Sequence, residues 1–224
     1  MDSKQEAALR ALEMVEDGML LGLGTGSTAA LFIDALGARV AGGLRVSCVA
    51  TSLASRSQAE ALGIPVSDRV DRPLDLTVDG ADEIDPGLNL VKGLGGALLR
   101  EKVVAAASRR MVVIATEEKL VDWLGSRVRL PVEVLPLLWE RTAAAVEALG
   151  LEPLLRLTTQ GGEPYLTDNR NLVIDCRITG PRPPAELSAQ LDALPGVMAH
   201  GLFIGLATQA VVAGTGGVRV LEKS

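Results

Sequence analysis

Apolar positions recur along the chain with two alternating periods. Over residues 3–17 they repeat at roughly helical spacing (Leu9, Leu12, Val15), and Ser3 and Glu6 stand at capping-box distance. That stretch predicts an amphipathic helix closed by Asp17-Gly18. Short apolar runs of strand length follow, at 19–23, 44–50, 74–78 and 111–115. Helical patterns separate them at 29–36, 54–62 and 97–108. Strands without an exposed face, alternating with helices, imply a parallel sheet covered on both sides. Thr116-Glu117-Glu118-Lys119 then opens a short helix to about Leu124. Beyond it the order changes. A strand at 128–135 and a helix at 138–149 precede strands at 154–158 and 172–178, which flank a polar hairpin (Gly161-Gly162, Asp168-Asn169). A helix at 184–194 and a strand at 197–203 complete a βαββαβ order, the ferredoxin-like split unit. Residues 204–220 supply one or two strands expected to return to the first sheet. The expected class is α/β: a Rossmann-like parallel-sheet domain over 1–127 and 204–224, with a smaller ferredoxin-like domain over 128–203.

Composition narrows what such a molecule binds. Hydrophobic residues make up 48 % of 224, enough for a well-buried core. A net charge of -6 and 2 % aromatic content argue against nucleic acid, which calls for basic surfaces and stacking platforms. The N-terminus carries no apolar signal region, and the apolar stretch at 202–212 is broken by Gly205, Thr208 and Gln209. No membrane partner and a cytoplasmic location are the expectation. Cys48 and Cys176 lie in apolar runs with neither metal nor disulfide spacing, so they read as core thiols. The single histidine, His200, has no neighbours that would make a zinc site or a Ser-His-Asp triad, and it reads as structural. Acid–base chemistry in this chain falls to carboxylates and lysines.

Candidates of that kind gather around Asp79-Gly80-Ala81-Asp82-Glu83 and Lys92-Gly93-Leu94-Gly95-Gly96. Asp79 ends a strand, where ligands bind in open α/β sheets. The glycines let backbone approach a ligand before the helix that carries Glu101. Taken one by one, these acids also fit a solvated turn and an exposed helix face. Together, Asp79, Asp82, Glu101 and Lys92 suit proton transfer on a small polyhydroxylated carbonyl compound. A second cluster, Gly24-Thr25-Gly26-Ser27-Thr28, joins the first strand to its helix. It fits a phosphate cradle of N–H and hydroxyl donors, and it also fits an ordinary turn with a Ser or Thr cap. A dinucleotide is disfavoured, because the second strand ends in Thr51-Ser52 where an acid would hold the ribose. A P-loop is excluded, since no lysine follows the last glycine. Lys119, just past a strand's carboxyl end, is equally a ligand contact or a solvated lysine.

These blocks, in this order, resemble ribose-5-phosphate isomerase of the A type, and the resemblance runs from near Lys4 to about Val218. Pro195-Gly196-Val197 and Gly201-Leu202-Phe203 belong to it as well. The resemblance implies a cofactor-free aldose–ketose isomerase of the pentose phosphate pathway, forming homodimers or homotetramers; with no His/Cys ligand set and Lys92 available for the oxyanion, no metal is expected either. It implies that Glu101 moves a proton between C2 and C1, that Asp79 and Asp82 handle ring opening and hydroxyl protons, and that Lys92 steadies the enediolate. It further implies substrate contacts at Thr25, Gly26, Ser27, Thr28, Gly80, Ala81, Gly93, Leu94 and Gly95, with Lys4 and Lys119 as added cations. Leu94 stands where some members have glycine. An amino-sugar phosphate deaminase, a CoA transferase and a non-catalytic sugar-phosphate sensor remain as alternatives. The first lacks a suitably placed histidine, the second is normally larger, and the third normally carries a DNA-binding module.

Overall fold

The computed structural model describes residues 2–159 and 162–223, so Gly161 of the expected hairpin lies outside the described residues. In chain order the first elements are α1 (Ser3–Leu12), β1 (Leu20–Leu23), α2 (Ser27–Ala41), β2 (Ser47–Ala50), α3 (Leu53–Ala61) and β3 (Leu76–Gly80). Then come β4 (Glu83–Ile84), β5 (Leu90–Val91), α4 (Leu98–Ala106), β6 (Met111–Thr116) and a 3₁₀ turn (Glu117–Lys119). The next group is β7 (Leu130–Val134), α5 (Trp139–Ala148), β8 (Leu151–Leu155), β9 (Leu172–Ile178), α6 (Pro184–Asp192) and β10 (Val197–His200). The chain closes with β11 (Leu202–Phe203), β12 (Gln209–Gly214) and β13 (Gly217–Glu222). It forms two compact units, one of residues 1–81, 100–120 and 205–224, the other of 82–99 and 121–204.

The first unit holds a six-stranded sheet in the order β13-β12-β6-β3-β1-β2. The strands from β12 to β2 pair in parallel, and β13 returns antiparallel beside β12. Counted among themselves, the parallel strands run 2-1-3-4-5, the doubly wound order that reverses between β1 and β3. Their side chains are buried on both faces, as the unbroken apolar runs predicted. Leu21, Leu23, Val78, Val112, Ile114 and Val211 pack with Phe32, Ile33 and Leu36 of α2 and the alanines of α1. The α1 helix stops at Leu12, short of Asp17. Arg39 caps its end by donating to the carbonyls of Leu12 (3.0 Å) and Val15 (3.1 Å).

The second unit holds an antiparallel sheet ordered β10-β7-β9-β8. Here β9 lies between β7 and β8, and β7 lies between β9 and β10, so each βαβ half is split by a strand of the other. A second, three-stranded sheet (β11-β5-β4) takes residues 82–99 into this unit, where the sequence pattern grouped them with the first domain. The strand expected over 197–203 is broken at Gly201. Its N–H donates to Pro131, its carbonyl accepts from Lys92, and a side chain there would strike the Lys92 carbonyl. The helix expected to reach Leu124 is one 3₁₀ turn, because the Val121 N–H leaves to pair with the Ile84 carbonyl. His200 is fully buried, with Nδ1 accepting the Leu202 N–H (3.2 Å) and Nε2 3.1 Å from Asp192 Oδ1. That is a structural role, as expected. Both cysteines are buried, which pushes their thiols up to about 12.

Candidate active site

The order reversal between β1 and β3 is where an open α/β sheet offers a crevice beyond its strands' carboxyl ends. The Gly24–Thr28 loop leaves β1 there, and Asp79 ends β3 beside it. The Gly24 N–H donates to the Val78 carbonyl (2.9 Å), and any side chain at 24 would collide with Asp79. Asp79 is fully buried, and its Oδ1 accepts the N–H groups of Thr25 (3.1 Å) and Gly80 (2.7 Å). Gly26 adopts φ +111°, a conformation that disfavours any side chain, and opens α2 without a side-chain cap. Ser27 Oγ accepts a hydrogen bond from Lys4 Nζ (3.0 Å). The Thr116 hydroxyl, its own backbone N–H and the charges of Lys119 and Lys4 hold the Glu118 carboxyl below the usual carboxylate range. Lys4, Ser27 and Lys119 therefore share one neighbourhood of the six-stranded unit, with Thr28 half-buried one residue further along α2.

Thr25 behaves differently from the donor expected of it. Its hydroxyl donates to Ser52 Oγ (2.8 Å) and lies 2.7 Å from Thr51 Oγ1. Ser52 passes a hydrogen bond to Ser55 (3.0 Å), and Ser55 closes the circuit on the Gly24 carbonyl (2.6 Å). The Thr51-Ser52 pair that argued against a dinucleotide thus fixes the loop after β1. Glu101 stands in the first turn of α4 and is only 4 % exposed.

In the other unit, Lys92 follows β5 and is 2 % exposed, with Nζ 5.5 Å from the centre of the Phe203 ring. Asp82 is half-buried. Its N–H donates to the Val91 carbonyl (2.8 Å), and its Oδ2 accepts the Leu94 N–H (3.0 Å). Leu94 points its side chain outward while its backbone donates, so the departure from glycine leaves the donor in place. Gly93 has φ +101° and Gly95 is exposed, while Gly80 and Ala81 are half-buried at the end of β3. Among the described residues, no group of three His, Cys, Asp or Glu side chains is placed to hold a metal ion. Nor is any helix there long and apolar enough to cross a membrane.

The family profile described as ribose 5-phosphate isomerase A (phosphoriboisomerase A) matches residues 47–217. The ribose-5-phosphate isomerase A of Gloeobacter violaceus is 52 % identical, over 99 % of this chain and 96 % of its own. The chain belongs to the ribose 5-phosphate isomerase A family. Its fold agrees with that of the Methanocaldococcus jannaschii ribose 5-phosphate isomerase A, at 37 % identity, a TM-score of 0.95 and 99 % coverage of both chains. A D-ribose-5-phosphate isomerase solved in complex with phospho-erythronic acid matches at 36 % identity with a TM-score of 0.94, over 99 % of this chain and 100 % of that one. The family interconverts ribose 5-phosphate and ribulose 5-phosphate, and this chain is an isomerase of that kind.

Three features of this isomerase escaped the sequence. Glu83 is buried at 1 %. Its carboxylate accepts the N–H groups of Gly125, Arg127 (2.7 Å) and Val128 (3.0 Å), so it pins the 125–128 loop. Asp85 closes a turn by accepting the N–H (2.8 Å) and side-chain amide (3.0 Å) of Asn89. The third is an Arg156–Asp175 pair against the glycine loop. Nothing in the local sequence marks it, since an arginine in a hairpin reads as solvated.

Proposed function

We propose that this isomerase converts the aldose to the ketose through an enediolate, with Glu101 as the base. Asp79 and Asp82 assist opening of the sugar ring. The Glu101 carboxylate takes the C2 proton, the C–H electrons form the C1–C2 double bond, and the carbonyl π electrons move onto O1. The Lys92 ammonium stabilises that oxyanion. Glu101 returns its proton to C1 while the O2 proton passes by way of Asp79 or Asp82 to O1, so no atom is gained or lost. The phosphate takes its N–H and hydroxyl donors from Gly26–Thr28 and its positive charge from Lys4 and Lys119. Gly80, Ala81, Gly93, Leu94 and Gly95 supply backbone contacts to the sugar. The observation that carries these roles is burial at motif positions: Asp79, Lys92 and Glu101 are 0, 2 and 4 % exposed. Charged side chains are seldom buried so far unless paired or put to use. The phospho-erythronic acid bound by a structural relative supports a phosphorylated polyhydroxy ligand. The role that fits this reaction is the interconversion of pentose phosphates in the non-oxidative pentose phosphate pathway, with the cytoplasm as the proposed location.

The test is turnover of ribose 5-phosphate by the purified chain, beside Glu101→Gln. Glutamine preserves shape and helix propensity but cannot take the proton. A positioned base is worth about 10²–10⁴-fold, so kcat falls at least about a hundredfold with KM little changed. Exchange of the C2 hydrogen with solvent deuterium falls with it, while Arg100→Gln on the same helix retains both. Near-normal exchange in Glu101→Gln would transfer the role to Asp79 or Asp82.

A further inference from the structure

We infer that Arg156 is a positioning residue for the glycine loop, acting from behind it through the carbonyls of Gly93 and Leu94; the inference rests on the roles proposed for Asp82 and that loop. Arg156 Nη1 donates to the Gly93 carbonyl (3.2 Å) and the Leu94 carbonyl (3.0 Å). Its Nε and Nη2 grip Asp175 in a fork, at 2.8 and 2.5 Å from the two carboxylate oxygens. The pair is largely withdrawn from water, with side chains 13 and 18 % exposed. Tyr165 completes the backing. Its ring centre lies 5.6 Å from the Arg156 guanidinium, its hydroxyl donates to the Gly95 carbonyl (3.4 Å), and it fills the space a side chain at Gly96 would need. Arg156 and Tyr165 are themselves registered across their hairpin by the Tyr165 N–H on the Arg156 carbonyl (2.9 Å).

The consequence follows from peptide geometry. In a trans peptide the C=O and N–H point in opposite directions. Holding the Gly93 carbonyl on Arg156 therefore sends the Leu94 N–H the other way, where it meets Asp82 Oδ2 (3.0 Å). Holding the Leu94 carbonyl turns the Gly95 N–H away from Arg156 in the same manner. One guanidinium, itself oriented by Asp175, thus sets the direction of two consecutive backbone donors and the seat of Asp82. Lysine keeps the charge but cannot occupy the Asp175 fork and two carbonyls at once.

Arg156→Lys in the full-length protein tests this with two readouts. Misplacement of a catalytic group by about 1 Å costs on the order of a hundredfold, so kcat/KM for ribose 5-phosphate is expected to fall about 10–100-fold. Protection of the Leu94 amide against hydrogen exchange is expected to fall about tenfold or more while amides of β7 and β9 keep theirs, since that N–H would lose its fixed acceptor. Arg177→Met, which breaks a solvent-exposed pair with Glu152 (3.7 Å) between the same two strands, should change neither. Wild-type kinetics together with wild-type Leu94 protection in Arg156→Lys would overturn the inference. Should Arg156→Lys also lose protection in β7 and β9, Asp175→Asn decides by the same readouts. If the wild-type chain itself fails to turn over ribose 5-phosphate, the functional reading falls, and the amide measurement still decides whether Arg156 holds the loop.

Discussion

Glu83 lies next to Asp82 in the chain, yet its carboxylate is wholly occupied by three backbone N–H groups more than 40 residues away. Glutamine there presents an NH₂ to donors that need an acceptor. Each lost charged hydrogen bond and each stranded N–H is costly, so Glu83→Gln should lower stability by about 2–4 kcal/mol in urea unfolding. KM for the fraction that remains folded should be unchanged, whereas Asp82→Asn should show the reverse pattern. From sequence Glu83 is one of three acids, with Asp82 and Asp85, that follow Asp79 in the same turn, and no local pattern sets it apart. What separates them is the partner each carboxylate meets: Glu83 the distant 125–128 loop, Asp82 the Leu94 N–H, and Asp85 the Asn89 amides four residues on. Arg156 escaped for the same reason, since its partners Leu94 and Asp175 lie 62 and 19 positions away. The place of Asp79 was legible because a charged residue closes the apolar run 74–78, at a strand's carboxyl end.

At the level of elements, continuous apolar runs located the parallel strands, and alternation of period located the helices. Their ends moved where tertiary contacts set them, as Arg39 does for α1 and the Val121–Ile84 hydrogen bond does for the 3₁₀ turn. The start of α2 offers a test. Glutamate at the first position of a helix is favourable to the helix itself, so Ser27→Glu should melt at the wild-type temperature. A carboxylate beside Lys4 opposes a phosphate, and the apparent KM should rise by about tenfold or more, about 1.4 kcal/mol. An unchanged KM would remove this loop from phosphate binding. The β1–β3 pairing offers a second. Asp75 accepts the Leu20 N–H (2.8 Å) and faces Arg72 and Arg109, which together hold its carboxyl below the usual range. Because the folded value is the lower one, this contribution is present above the unfolded value near about 3.9 and is lost as pH falls through the folded value. Asp75→Asn should therefore cost about 1 kcal/mol at pH 7, discounted for water access, and the gap from wild type should close progressively below about pH 4.

For the molecule as a whole, the expected homodimer or homotetramer is supported by apolar side chains left in solvent on the four-stranded unit. Leu137 is 71 % exposed, Leu138 67 % and Leu154 59 %, and β8 is an edge strand. Sedimentation at micromolar concentration should give a multiple of 23.4 kDa, and a species at 23.4 kDa alone would contradict it. The chain crosses between its two units four times, after residues 81, 99, 120 and 204. No single cut frees either unit as a continuous piece. In evolutionary terms the four-stranded unit is therefore not a cassette: an exchange between genes at one breakpoint leaves at least one unit hybrid, and a breakpoint anywhere inside residues 82–204 leaves both so. Substitution spread along the whole chain keeps each unit of one parentage, and the Gloeobacter violaceus protein, 52 % identical over 99 % of this chain and 96 % of its own, differs in that way.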